Sequence, residues 1–323
     1  MNIGSGFAWI GRHAATVLVG GAVLALLLPN VGAILLPGLR PIVIALLALA
    51  MVRVDADDVV RHLRRPGRLT VTITFLMLLI PAVVHGVALT LGLPRDLHTA
   101  LVLLACAPPL ASSANLALLI GLDGALALNT MVLGALVMPV TAPLVIGFTL
   151  GLDLSVVQLF IDLVINFAAA IAIALVVRLA AGTTRLKRRT AELDGLMAIL
   201  MVAFIVAVMS DVGRELAEDW RRVGKFLVAV LAANFGLQTL IAVIVMVVGG
   251  RPRFLPDRQS GLTIALMSGN RNMALIIAAL PASAAEPFLL FLALYQLPIY
   301  ATPLLMGPIY RRLRDKAPGE PID

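Results

Sequence analysis

Apolar runs about as long as a bilayer is thick recur almost without a gap from His13 to Tyr310, and this constrains the chain more than any motif does. An α-helix crosses a hydrocarbon core of about 30 Å in about 20 residues. By that measure the runs predict helices near 13–29, 37–54, 69–93, 97–121 and 124–150. A second set falls near 155–179, 193–211, 223–249, 259–280 and 285–310. Composition agrees: 61% of the 323 residues are hydrophobic and 13% charged, against about 25% charged in soluble domains. No single aqueous core hides that much apolar surface, so the expected class is an all-α integral membrane protein of about ten helices.

The net charge of +7 does not point to nucleic acid, because the cations lie in short clusters between apolar runs. Counted by side, 18 of the 25 Lys and Arg fall with the two termini, 6 fall opposite, and Arg271 lies within a helix. This bias predicts cytoplasmic termini in a cell (inner) membrane. Cys106 stands alone, and His13, His62, His85 and His98 show no ligand spacing, so no metal or cofactor is expected. Nucleophile elbows and phosphate loops are missing from the sequence, which predicts no enzyme. The first run continues into Leu28-Pro-Asn without a small-residue cleavage site and reads as a retained helix.

The halves 1–150 and 151–315 match in outline. Helix 5 carries Pro139 and Pro143 where helix 10 carries Pro298 and Pro303, and helices 4 and 9 each contain a mid-membrane polar cluster. Five helices per repeat put the second copy into the bilayer upside down, the inverted-repeat plan of secondary transporters. Asp55–Arg68 reads as an amphipathic surface segment, Asp211–Lys225 as a charged connection, and 316–323 as a disordered tail.

Both polar clusters look like helix breaks. Pro108 and Pro109 remove two donors from helix 4, with Ser112, Ser113 and Asn115 following. In helix 9, Gly269 loosens the backbone beside Asn270, Arg271 and Asn272. In lipid, such backbone has to line a cavity or pack in protein. A central Arg costs about 2.5–3.5 kcal/mol on insertion scales and is expected to face a partner or a cavity. Paired breaks predict a midplane site, with Ser112, Ser113, Asn115, Asn270, Arg271 and Asn272 as the substrate-binding candidates. Asp162, with Asn166 one turn on, is the expected counter-ion for Arg271 if buried. His85, after Pro81, is a candidate for ion coupling, with a backbone-paired His as the blander reading. Glu286 is expected at the interface.

These residues resemble a family. The stretch Cys106–Pro143 resembles helices 4 and 5 of the bile acid:sodium symporter family, and Ser268–Leu275 its Gly-x-Gln-Asn-Ser-Gly-Leu run. Arg65-Pro66 before helix 3 adds to the likeness. The resemblance implies a core domain of helices 3–5 and 8–10, crossing at broken helices 4 and 9, and a panel domain of helices 1, 2, 6 and 7. It also implies sodium ligands that this chain lacks. The helix 9 Glu and Gln appear as Met267 and Arg271, the helix 5 Ser and Thr as Ala127 and Met131, and the helix 3 Gln as an apolar residue near Leu76. One carboxylate with two sodium ions sums to +1, as do Met267 and Arg271. The expectation is therefore alternating-access transport of a small organic anion, bile-acid-like or carboxylate, without sodium and with Arg271 as a tethered cation. The alternatives are a sodium-coupled symporter with a relocated ion site and a non-transporting receptor of the same fold.

Overall fold

In the computed structural model, residues 3–27, 29–53, 66–150, 155–248 and 257–315 are described, and among them every regular element is helical. In chain order these are α1 Ile3–Arg12, α2 Ala14–Leu27, α3 Pro29–Leu35, α4 Leu39–Val52 and α5 Pro66–Thr74. Next come a π turn Phe75–Leu79, α6 Ile80–Thr90, α7 Arg95–Cys106, α8 Ser112–Leu119 and α9 Gly124–Leu150. The second half has α10 Val156–Ala181, α11 Thr183–Arg188, α12 Thr190–Val208, α13 Val212–Glu218 and α14 Trp220–Leu231. A second π turn, Ala232–Gly236, leads to α15 Leu237–Val248, α16 Arg258–Gly269, α17 Ala274–Ile277, α18 Ala282–Ala285 and α19 Leu289–Asp315.

Among the described residues, seven helices are long and apolar enough to cross a membrane: 30–52, 67–90, 124–150, 156–181, 190–218, 220–248 and 282–315. The bent pair Gly4–Arg12 and Thr16–Ala25 makes an eighth if taken as one span. The segments expected as helices 4 and 9 do not qualify, because each is divided into shorter pieces (α7 with α8, α16 with α17). The chain is thus a multi-pass, all-helical membrane protein. Most of the expected surface segment Asp55–Arg68, and the tail 316–323, lie outside the described residues; its end, from Pro66, begins α5.

The chain divides into two compact units. The first comprises 1–56, 157–225 and 274–293. Here α1, α2 and α3 run along α12 through small residues that let backbones meet. A Cβ on Gly195 would strike the Phe7 carbonyl, and one on Gly32 would strike the Val206 carbonyl. This close approach explains α1, which apolar run length alone does not predict. In the same unit Arg40 donates through Nη2 to Asp162 Oδ1 at 2.9 Å and through Nε to Asn166 Oδ1 at 2.7 Å. Gln158 donates to the other Asp162 oxygen at 2.8 Å.

The second unit comprises 57–156, 226–273 and 294–323. Its apolar cluster includes Leu76, Ile80, Ala127, Leu133, Leu266 and Met267. At one end, Asp257 caps α16 by accepting from the Ser260 N–H at 2.8 Å, and Arg68 pairs with it at 3.1 Å. Partial burial raises the Asp257 carboxyl, but the Ser260 hydrogen bonds and Arg68 outweigh that and hold it below its usual range.

Candidate functional site at the paired helix breaks

Both breaks lie in the second unit and pair with each other. Ala107 leaves α7 with an extended ψ of 148°, and Asn270 leaves α16 with ψ 87°. Pro109 and Arg271 then form an isolated antiparallel bridge. The Leu110 N–H donates to the Asn270 carbonyl at 3.0 Å, and the Asn272 N–H to the Pro108 carbonyl at 2.8 Å. Much of the backbone freed by the breaks is thereby satisfied inside protein, as a bilayer demands.

Arg271 fills the remaining vacancy in that pattern. Its side chain is 2% exposed. Nε donates to the Ser268 carbonyl at 2.9 Å, Nη1 to Ala107 at 3.0 Å and Nη2 to Leu76 at 3.1 Å. Each acceptor has lost its helical donor for its own reason. Asn272, which would serve Ser268, is turned to Pro108. Ala107 points out of the helix. Leu76 sits in the π turn: Ile80 N–H bonds Phe75 instead, and the next residue, Pro81, has no N–H to give. Three backbone dipoles thus converge on one guanidinium, and each of its nitrogens donates to one of them. The Arg271 N–H donates to the Tyr295 hydroxyl at 3.0 Å, and that hydroxyl donates to the Gly269 carbonyl.

A second buried network orients the end of α16. Asn234, in the π turn 232–236, donates to the Gly269 carbonyl at 2.6 Å and accepts from Gln238 at 2.7 Å. Thr302 Oγ1 lies 3.3 Å from both Asn234 Oδ1 and Asn270 Oδ1, and Tyr310 donates to Gln238 at 3.2 Å. Asn234, Gln238, Thr302 and Tyr310 have no exposed surface. Gly269 is required here, since a Cβ would strike the Asn234 carbonyl and come within 2.7 Å of Gln238 Cγ.

The candidates from sequence separate into two groups. Asn270, Arg271 and Ser113 are buried, with Pro108, Pro109 and Gly269 around them. Arg271 therefore presents no guanidinium surface to a substrate in this conformation, a correction to its placement among the substrate contacts. Ser112 and Asn115 are exposed and Asn272 is half-buried, and among the described residues their side chains make no hydrogen bond. Asp162, expected to serve Arg271 only if buried, has a partner within its own unit. Asp162 is mostly buried, at 15% exposure, but its partner is Arg40. His85 bonds the ring of His98 at 2.9 Å instead of a backbone group.

Sequence reasoning missed Leu76, Ala107, Tyr295, Asn234, Gln238 and Thr302. Asn234 and Gln238, one turn apart in an apolar helix, were a legible signal of a buried polar pair. Leu76 and Ala107 act through backbone carbonyls, which side-chain patterns do not reveal. Among the described residues, no group of three or more His, Cys, Asp or Glu is placed to hold a metal. Compared with known proteins, the chain matches no family model and no curated protein.

Proposed function

We propose that this chain is a secondary transporter of a small organic anion, not an enzyme, and that it works without sodium because Arg271 is a built-in cation. The observation that carries the reading is the seating of Arg271 among the Leu76, Ala107 and Ser268 carbonyls. Converging carbonyl oxygens from unwound helices are how transporters of broken-helix design hold a coupling cation. A second observation supports it. Leu76, Ala127 and Met267, three places where the resemblance to bile acid:sodium symporters implies sodium ligands, belong to one buried apolar cluster. Met267 and Ala127 have no exposed surface, so a hydrated cation finds no oxygen side chain there.

The wider reading is ten helices in two inverted repeats, termini in the cytoplasm, and alternating access by a core of helices 3–5 and 8–10 against a panel of helices 1, 2, 6 and 7. The two interrupted segments and the bent N-terminal pair are the three spans by which ten exceeds the seven unbroken helices. One π turn in each half supports the repeat. The grouping of 57–156, 226–273 and 294–323 supports the core, though 274–293 cluster with the other unit. Ser112, Asn115 and Asn272 are the polar groups left to meet the anion.

One observation favours the alternative of a relocated sodium site: Ser113 Oγ, Asn129 Oδ1 and Thr130 Oγ1 are buried without a hydrogen-bond partner. Thermal unfolding of the purified protein in NaCl against KCl, at matched ionic strength, separates the two. An ion at about 100 times its dissociation constant adds about 2.7 kcal/mol, a readable rise in Tm. Equal Tm in both salts is the expected result. A sodium-specific rise would end the tethered-cation reading and move attention to Ser113 and Thr130.

A further inference from the structure

His85 and His98 belong to no part of the site at the breaks, and the second unit brings them together. They lie on α6 and α7, the arms of a hairpin closed by 91–94, where Gly92 has φ +59° and the Leu93 N–H bonds the Ala88 carbonyl at 3.0 Å. His85 Nδ1 and His98 Nε2 are 2.9 Å apart, with ring centroids at 4.9 Å and planes at 34°. Both rings are half-buried.

A nitrogen-to-nitrogen hydrogen bond needs one N–H and one bare lone pair. Two neutral imidazoles meet that condition. So does a pair that has taken up one proton, because an imidazolium donates to the remaining neutral ring and the bond gains charge assistance. A second added proton removes the only acceptor and places two cations in contact. The elements packed against the pair offer little compensation. Arg95 and Asp96, in the first turn of α7, are its charged groups, and Cys106 is the other titratable residue there. Apart from His85, α6 carries no titratable group, and the π turn Phe75–Leu79 and α9 carry none.

We propose that His85 and His98 form a one-proton binding site that latches α6 to α7, and that entry of a second proton opens the latch. The site is independent of whether the protein carries organic anions.

A double-mutant cycle read by thermal unfolding at several pH values tests the site. The proteins are the full chain, His85→Phe, His98→Phe and the double variant, with His85→Gln and His98→Gln as a second set in case the Phe variants fail to fold. At pH 7.5 the two positions are expected to couple, the parent exceeding the additive expectation by about 2–4 °C. At pH 5 the coupling is expected to vanish or change sign, and the parent to lose more stability between the two pH values than either single variant. Additive effects at pH 7.5, or coupling that is the same at both pH values, would overturn the proposal.

Discussion

The two π turns of the second unit use one backbone device for opposite chemistry. Phe75–Leu79 has only apolar side chains, so what it contributes is the Leu76 carbonyl, and a cation from the break that follows α16 has to meet it. Ala232–Gly236 carries Asn234, whose amide satisfies Gly269 directly and is held in turn by Gln238. One half is completed by a charge and the other by neutral amides. The lesson concerns dependence: the neutral half contains its own donors, whereas the first half relies on a side chain 195 residues away.

The largest effect should come from removing that charge. Arg271→Leu leaves three buried carbonyls without donors, at about 1–3 kcal/mol each, so Tm in detergent should fall steeply. Arg271→Lys should recover part of the loss, since an ammonium has three donors but no planar fork. If Arg271→Leu were as mild as a change in the neutral half, the asymmetry would be wrong. Next come the glycines. Gly269→Ala drives a methyl into the Asn234 carbonyl and should cost about 1–3 kcal/mol. Gly134→Ala meets Pro108 Cβ at 3.3 Å, Pro109 Cδ at 3.4 Å and Met77 Sδ at 3.8 Å. Its loss should be smaller, and equal melting of the two variants would show that the breaks are equally tight. The smallest effect is expected for Asn234→Leu, because Gly269 keeps the Tyr295 hydroxyl as a donor. Membrane hydrogen bonds average about 0.6 kcal/mol, with a maximum near 1.7, and a larger loss would mean that the neutral network also positions Arg271.

Much of this could be read from the chain in advance. The unbroken helix 124–150 falls where its apolar run ends at Gly124 and Leu150. Pro108 and Pro109 mark the first break, and the Gly269–Asn272 cluster marks the second. What stayed hidden is backbone register. The π turn at Phe75–Leu79 leaves no trace in hydropathy, although Pro81 is its sequence marker. Asp162 stood out in the sequence as a carboxylate within an apolar helix, with burial left open, but not as the partner of Arg40, since that pairing depends on how helices pack. The helix Ile3–Arg12 begins with Gly4, Ser5 and Gly6, poor helix formers, and owes its form to packing on α12.

The bridge between Pro109 and Arg271 also has a consequence for biogenesis. Synthesis runs from the N-terminus, so α7 is complete long before α16 exists. During that interval Leu76 and Ala107 hold carbonyls that no described residue up to 150 supplies with a donor, and Pro108 still awaits Asn272. The chain up to residue 150 is therefore born incomplete. It must wait in the membrane, with its broken helix shielded by water, lipid headgroups or an insertion factor, until 164 further residues deliver the guanidinium to Ala107.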